Sequence, residues 1–150
     1  MKHWLMKSEP DSFGIDTLKK KRVAPWDGVR NYQARNFMRE MAVGDRVLFY
    51  HSNAEPSGVA GLAKVARTVY PDHTSWDPKS PYFDAASTPE KPRWDMVDVR
   101  YVSTLKNFLP LGELRDIAEL AEMLLFQRSR LSVQPVEQRH YDLIVKLGNG

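Results

Sequence analysis

Residues 59–70, VAGLAKVARTVY, set the strongest limit on what this chain folds into. The run is long and apolar, so it reads as a strand, and it is unusually rich in small residues: Ala60, Gly61, Ala63 and Ala66. Glycine inside a strand often marks the close approach of another backbone or of a ligand. Two stretches of similar character flank it. DRVLFYHS (45–52) reads as a buried strand, and RWDMVDVRYVSTL (93–105) as another long one with Val97, Val99 and Tyr101 on one face. HWLMK (3–7), short and bounded by Pro10, adds a strand before them.

The segments between change period. Asp11 caps a short helix or turn, and Pro25, Asp27 and Gly28 make a loop. From Asn31 onward, Ala34, Phe37, Met38 and Met41 fall on one helical stripe, with Tyr32, Arg35 and Arg39 on another side and Gly44 as the stop. Asp116 and Glu119 resemble a capping box for a helix buried through Ile117, Leu120, Ala121, Leu124 and Leu125. Pro135 is expected to open a last helix, closed by Gly148. Residues 71–93 hold five of the ten prolines and carry Trp76, Tyr82 and Phe83, a long surface loop with functional potential. This order predicts an α+β fold over residues 1–150 as one domain: a small, mainly antiparallel sheet or barrel with helices packed round it.

The 150 residues contain no cysteine, which excludes disulfides, thiolate zinc sites and cysteine nucleophiles. The opening MKHWLMKSEP does not read as a signal peptide, and no apolar run approaches a membrane span, so a soluble, cytoplasmic protein is expected. Net charge is +3 with pI near 9.2, compatible with a polyanionic partner. The positive charge is concentrated in KKKR (19–22), in Arg30, Arg35 and Arg39, and in QRSR (127–130). Each such run also has a plainer reading as a solvated face.

No phosphate-binding glycine loop, paired-histidine zinc motif or Gly-x-Ser-x-Gly elbow occurs. His3, His51, His73 and His140 show no metal-ligand spacing. What stands out is aromatic and basic. Trp4 and Trp94 lie in expected strands, whereas Trp26 and Trp76 lie in expected loops, with Arg30, Arg35 and Arg39 close to Trp26. Aromatic faces stack on bases and guanidinium groups grip phosphates. A loop tryptophan can equally fold back over the core, and both readings stay open for Trp26.

The segments WLMKSEPDSF, WDGVRNYQARNFMR, VLFYHSN, GVAGLAKV and RLSVQPV, in this order from Trp4 to about Val136, resemble the EVE domain. That resemblance implies the PUA-like fold, a small twisted β-barrel of about five to six mostly antiparallel strands with surrounding helices. It also implies kinship with YTH domains, which read a methylated adenine through an aromatic cage. Lys7-Ser8 after the first strand, Trp26, the FYHSN strand end and Trp76 or Tyr82 in the later loop match the YTH pattern. The implied partner is nucleic acid carrying a modified base, with 5-methylcytosine or its oxidised forms in DNA, or a modified RNA base, as candidates. No cofactor, metal or membrane is implied, and a monomer is expected.

A modified base must leave the duplex, or be single-stranded, to be read on its edge and faces. The pocket expected here has Trp26 as one flat wall and Trp76 or Tyr82 opposite. Lys7, Ser8, Glu9, Asp27, Asn31, Tyr50, His51, Ser52 and Asn53 surround it, with Ser132 and Gln134 on the far side and the small residues of 59–63 as its floor. Lys7, Arg30, Arg35 and Arg39 are expected at the flanking phosphates. Asp27 either accepts from a base amino group or caps the turn that aims Trp26, and Glu9 is either a pocket acceptor or a surface residue. Two other classes stay open: a base- or nucleotide-processing hydrolase drawing on Asp27, Glu9 or His51, and a protein-interaction adaptor using the 71–93 loop. The absence of any catalytic motif favours a binding module over an enzyme.

Overall fold

The computed structural model of the protein describes all residues from Met1 to Gly150. Six strands form one sheet: β1 (His3–Ser8), β2 (Val23–Trp26), β3 (Arg46–His51), β4 (Gly58–Pro71), β5 (Asp95–Pro110) and β6 (Val133–Val136). Their order is β2-β5-β4-β3-β1-β6. β1 and β3 run parallel, and every other neighbouring pair is antiparallel. Six helical segments accompany them: α1 (Pro10–Phe13), α2 (Ile15–Lys21), α3 (Tyr32–Met38), α4 (Leu111–Arg115), α5 (Leu124–Gln127) and α6 (Gln138–Asn149). None is long and apolar enough to cross a membrane.

The alternation of side chains along each strand splits the core into two clusters. One contains Trp4 and Met6 of β1, Ala24 and Trp26 of β2, Val47 and Phe49 of β3, Ala60, Ala63 and Val65 of β4, Val97 and Val99 of β5, and Val133 of β6. All six strands feed this cluster, including the two edge strands β2 and β6, so the sheet curls round it as a barrel does. α2 and α3 close it with Ile15, Leu18, Ala34 and Met38. The other cluster, built on Leu5, Leu48, Tyr50 and Leu62, lies on the outer face under α4, α5 and α6. β4 and β5 change register at several points, and such bulges give long strands the bend a curled sheet needs.

Gly61 has a structural task. A β-carbon there would lie 2.5 Å from Ile15 Cδ1 and 2.8 Å from the Ser103 carbonyl oxygen. The close approach predicted for this strand is therefore that of α2, not of a ligand, and 59–63 is core rather than pocket floor.

Both edge strands were hidden by proline. Pro25, expected in a loop, lies in β2, and Pro135, expected to open a helix, lies in β6 opposite Trp4. An edge strand leaves one side of its backbone unpaired, so the missing amide costs nothing there. α3 ends at Met38 rather than running to Gly44. The stripe expected as one helix over 116–125 is instead a short 3-10 turn (Ala118–Leu120) followed by α5.

Trp26 ends β2 with 6% of its surface exposed. Its partner in alternation is buried Ala24, while Val23 and Pro25 face the other way. The indole packs edge-on to Phe13 (ring centroids 5.9 Å apart) and Phe49 (5.3 Å). The expected open platform on a loop is thus corrected: Trp26 is a core residue. Trp26→Ala should cost about 3–5 kcal/mol, the range for emptying a buried aromatic site. Urea unfolding measures this directly, and a cost under about 1 kcal/mol would mean that the indole is not part of the packed core.

Candidate nucleic-acid interface

The long segment 71–93 is fastened to the β2–α3 turn by a buried carboxylate. Asp72 has no exposed surface. It accepts hydrogen bonds from the Gly28 amide (2.9 Å), Arg30 Nη1 (3.0 Å), the Thr74 amide (2.9 Å) and the Thr74 hydroxyl. Burial alone would raise its pKa, but the Thr74 hydroxyl, the Gly28 amide and Arg30 outweigh burial and hold it below the ordinary carboxylate value. Gly28, at φ +78°, is in the left-handed region, and a β-carbon there would lie 2.8 Å from the Tyr82 ring. Both conditions demand glycine.

The arginines expected at phosphates complete this fastening. Besides Asp72, Arg30 donates to the carbonyls of Tyr82 and Val29 and to the Thr74 hydroxyl. Its guanidinium also lies over the Tyr82 and Trp94 rings. Arg35 donates to the Arg93 carbonyl (2.8 Å) and lies over Tyr32, which itself stacks on Trp94 with ring centroids 4.7 Å apart. Arg39 pairs with Asp95 at 2.6 Å. The three arginines expected at phosphates each tie α3 or its approach to the segment from 71 to 95. Tyr82 likewise caps Gly28 and Arg30, and Trp76 sits half-buried at the end of a 3-10 turn.

Most of the other expected pocket residues have partners of their own within the protein. Tyr50 is buried on the outer face of the sheet, opposite to Trp26. The Ser8 hydroxyl donates to the Phe13 carbonyl (2.7 Å), and His51 Nε2 accepts from the Ile15 amide (3.1 Å). Burial lowers the His51 pKa, as suits a neutral acceptor. The Ser52 amide donates to the Ser8 carbonyl, and the exposed Asn53 amide donates to Glu9 (2.6 Å). Asp27 is exposed as a residue, but crowding of its carboxyl by protein, and then the charge of Asp72, raise its pKa. The Asp27 backbone leads into the Gly28 turn, and its side chain makes no cap there.

A cleft does form nearby, from a partly different set. It has a volume of about 260 Å³ and is lined by Asn31, Gln127, Arg128, Ser129, Arg130 and Leu131. Asn31 caps α3, accepting the Ala34 amide at 2.9 Å, so its side-chain NH2 faces outward. Lys7 reaches in from β1 and donates to the Ser129 carbonyl (2.9 Å), and burial lowers its pKa. Arg128 bridges to Gln33 of α3. Gln134, 1% exposed, holds the turn from below through the carbonyls of Leu131 (2.9 Å) and Arg128 (3.2 Å). The Ser132 carbonyl accepts the Lys7 amide at 2.8 Å. Lys7, Asn31, Ser132 and Gln134 are therefore brought together, and 127–131 joins them. Sequence reading marked 127–130 as basic without placing it at the pocket, because nothing local says that β6 returns beside β1.

The cleft is rich in donors and has no carboxylate among its lining residues. Its apolar wall, Leu131, belongs to the same cluster as Trp26. The volume falls just below the range of about 300–1,000 Å³ for small-molecule pockets, which suits a single base or phosphate.

Comparison with known proteins gives the family of the chain. The EVE domain profile matches residues 2–147. The chain belongs to the EVE domain family. Thymocyte nuclear protein 1 from Homo sapiens is 44% identical over 97% of this chain and 73% of its own length. A hypothetical protein from Leishmania major has TM-score 0.97 and 53% identity, covering 99% of this chain and 94% of the other. The human THYN1 protein in complex with 5-methylcytosine containing DNA has TM-score 0.95 and 43% identity, covering 100% of this chain and 99% of the other. The PUA-like, mostly antiparallel fold expected from the sequence of this EVE domain is thus borne out.

The two kinds of arginine separate by stability. Arg30→Ala strands the Asp72 carboxylate and should cost about 3–5 kcal/mol. Arg39→Ala removes an exposed pair and should cost about 0–1 kcal/mol. Chemical denaturation of the two variants checks this, and equal small losses would contradict the role given to Arg30.

Proposed function

We propose that this EVE domain binds DNA containing 5-methylcytosine, with the modified base turned out of the helix into the cleft between Asn31 and residues 127–131. The observation that carries the reading is the human THYN1 complex with 5-methylcytosine containing DNA, at 43% identity over 100% of this chain. The chemistry of the cleft supports it. A flipped base is read along its Watson–Crick edge. Along that edge cytosine offers acceptors at O2 and N3 and a donor at N4, and the cleft presents the Ser129 hydroxyl, which can accept, beside the donors Asn31, Arg128 and Arg130. Lys7 and Arg130 supply charge for the flanking phosphates. Leu131, almost wholly buried, is the one apolar residue of the cleft and leaves a small patch for the methyl group. Fully burying one methyl is worth about 0.8 kcal/mol, roughly fourfold in affinity. The function in this reading is recognition rather than turnover.

Asn31→Asp gives a clean test. Asparagine and aspartate are about equal as helix N-caps, so stability should hold within about 0.5 kcal/mol. The new carboxylate repels phosphate and cannot donate to a base. Fluorescence anisotropy with a duplex carrying one 5-methylcytosine, and with its unmodified twin, should show a preference for the modified duplex in the parent protein. The variant should lose tenfold or more in affinity for it. Undiminished binding by the stable variant would place the base elsewhere.

A further inference from the structure

The strand registers align three cations across the sheet. Arg46 of β3 pairs with Lys64 of β4, and Lys64 pairs with Arg100 of β5. Residues directly opposite on neighbouring strands share a face, and their inner neighbours Val47, Ala63 and Val99 all enter the barrel core. Arg46, Lys64 and Arg100 therefore point outward together, and all three are exposed. Strands lie about 4.8 Å apart, so the rank is roughly 10 Å long.

Like charges directly opposite each other destabilise a sheet. No acidic side chain lies within ion-pair distance of any of the three to offset this. None of the three takes part in a salt bridge or donates a side-chain hydrogen bond, although the chain has 19 acidic residues. Asp98, two residues from Arg100 on β5, accepts the Tyr70 hydroxyl instead, and that ring carries Arg67 at 3.7 Å. The one contact within the rank is Arg46 over the Tyr141 ring of α6, at 6.0 Å. α6 then crosses toward β5 at Leu105, where a β-carbon on Gly148 would touch the leucine, and leaves Arg100 and the 48%-exposed Val102 uncovered. Arg30, Arg39, Arg93 and Arg139, by contrast, each have an acidic partner.

We propose that Arg46, Lys64 and Arg100 form a phosphate-binding rank, a second contact for a nucleic-acid backbone distinct from the base cleft. Neighbouring phosphates of one strand are closer together than this rank is long, so the rank can lie against more than one of them. The rank lies at the His3 end of β1, and the cleft at the Lys7 end, about 13 Å along the strand. It carries no base-reading chemistry, so it adds affinity without sequence or modification preference.

The test is the double variant Lys64→Gln, Arg100→Gln. Its binding is measured against a 5-methylcytosine duplex, the unmodified twin and inorganic polyphosphate over a range of salt. The rank predicts an equal fold-loss on both duplexes and a fall of about two in the slope of log affinity against log salt. It also predicts weaker polyphosphate binding and a thermal midpoint equal to or above that of the parent, since a repulsion has been removed. The Lys64→Arg variant should bind like the parent. An unchanged salt slope, or a loss confined to the modified duplex, would overturn the rank. If the parent shows no preference for 5-methylcytosine, the base-cleft reading fails alone, and the slope and polyphosphate results still decide the rank. If the parent binds neither duplex nor polyphosphate, the rank fails.

Discussion

The arrangement depends on one buried carboxylate. Asp72 is wholly enclosed and accepts four hydrogen bonds, from Gly28, Arg30 and twice from Thr74. An ion taken out of water is tolerated only when its lone pairs are satisfied and its charge is balanced, and this set does both. The bonds link two segments far apart in sequence: the turn that leads from β2 into α3, and the proline-rich segment that leads from β4 to β5. Arg30 then carries the link outward to Tyr82 and Trp94. With this turn fixed, Asn31 stands at the head of α3 in the one place where it can face the 127–131 turn.

Charge is consequently divided between two tasks. The arginines of residues 30–39 hold the molecule together, while Lys7, Arg128 and Arg130 remain at the cleft and Arg46, Lys64 and Arg100 on the outer sheet. A pI near 9.2 could not distinguish these groups. The distinction comes from partners. An arginine with a buried carboxylate is structural even where its neighbours in sequence suggest a phosphate site. Arg46, Lys64 and Arg100, which are one another's cross-strand neighbours, have no acidic partner.

Much of this was legible in the sequence. The four longer strands follow from their apolar and aromatic runs, and the motif order points to an EVE domain and so to its fold. The edges of the sheet were not legible, because Pro25 and Pro135 argue against strands unless one knows that those strands lie at an edge. Trp26 was misread for the same reason: once β2 is taken for a loop, its alternation, which turns the indole inward beside Ala24, cannot be seen. At the site, Lys7 was named from the family resemblance, and Asn31, Ser132 and Gln134 as parts of the pocket a flipped base needs. Residues 127–130 were visible as a basic run running into the RLSVQPV motif but not as a wall of the site, since their place is set by β6 pairing antiparallel with β1, a contact between the two ends of the chain. Long-range pairings of this kind leave no local signal. The partners of Arg30 were obscured likewise, for Asp72 lies 42 residues away.

The central claim is that modified DNA is read at the cleft between the start of α3 and the 127–131 turn. Amide chemical shifts recorded during titration with a short 5-methylcytosine duplex test it most directly, residue by residue and without altering the protein. The predicted result is that the methylated and unmethylated titrations differ most at Lys7, Asn31 and residues 128–132. Shift differences absent there and centred instead on Trp76 to Phe83 would contradict it.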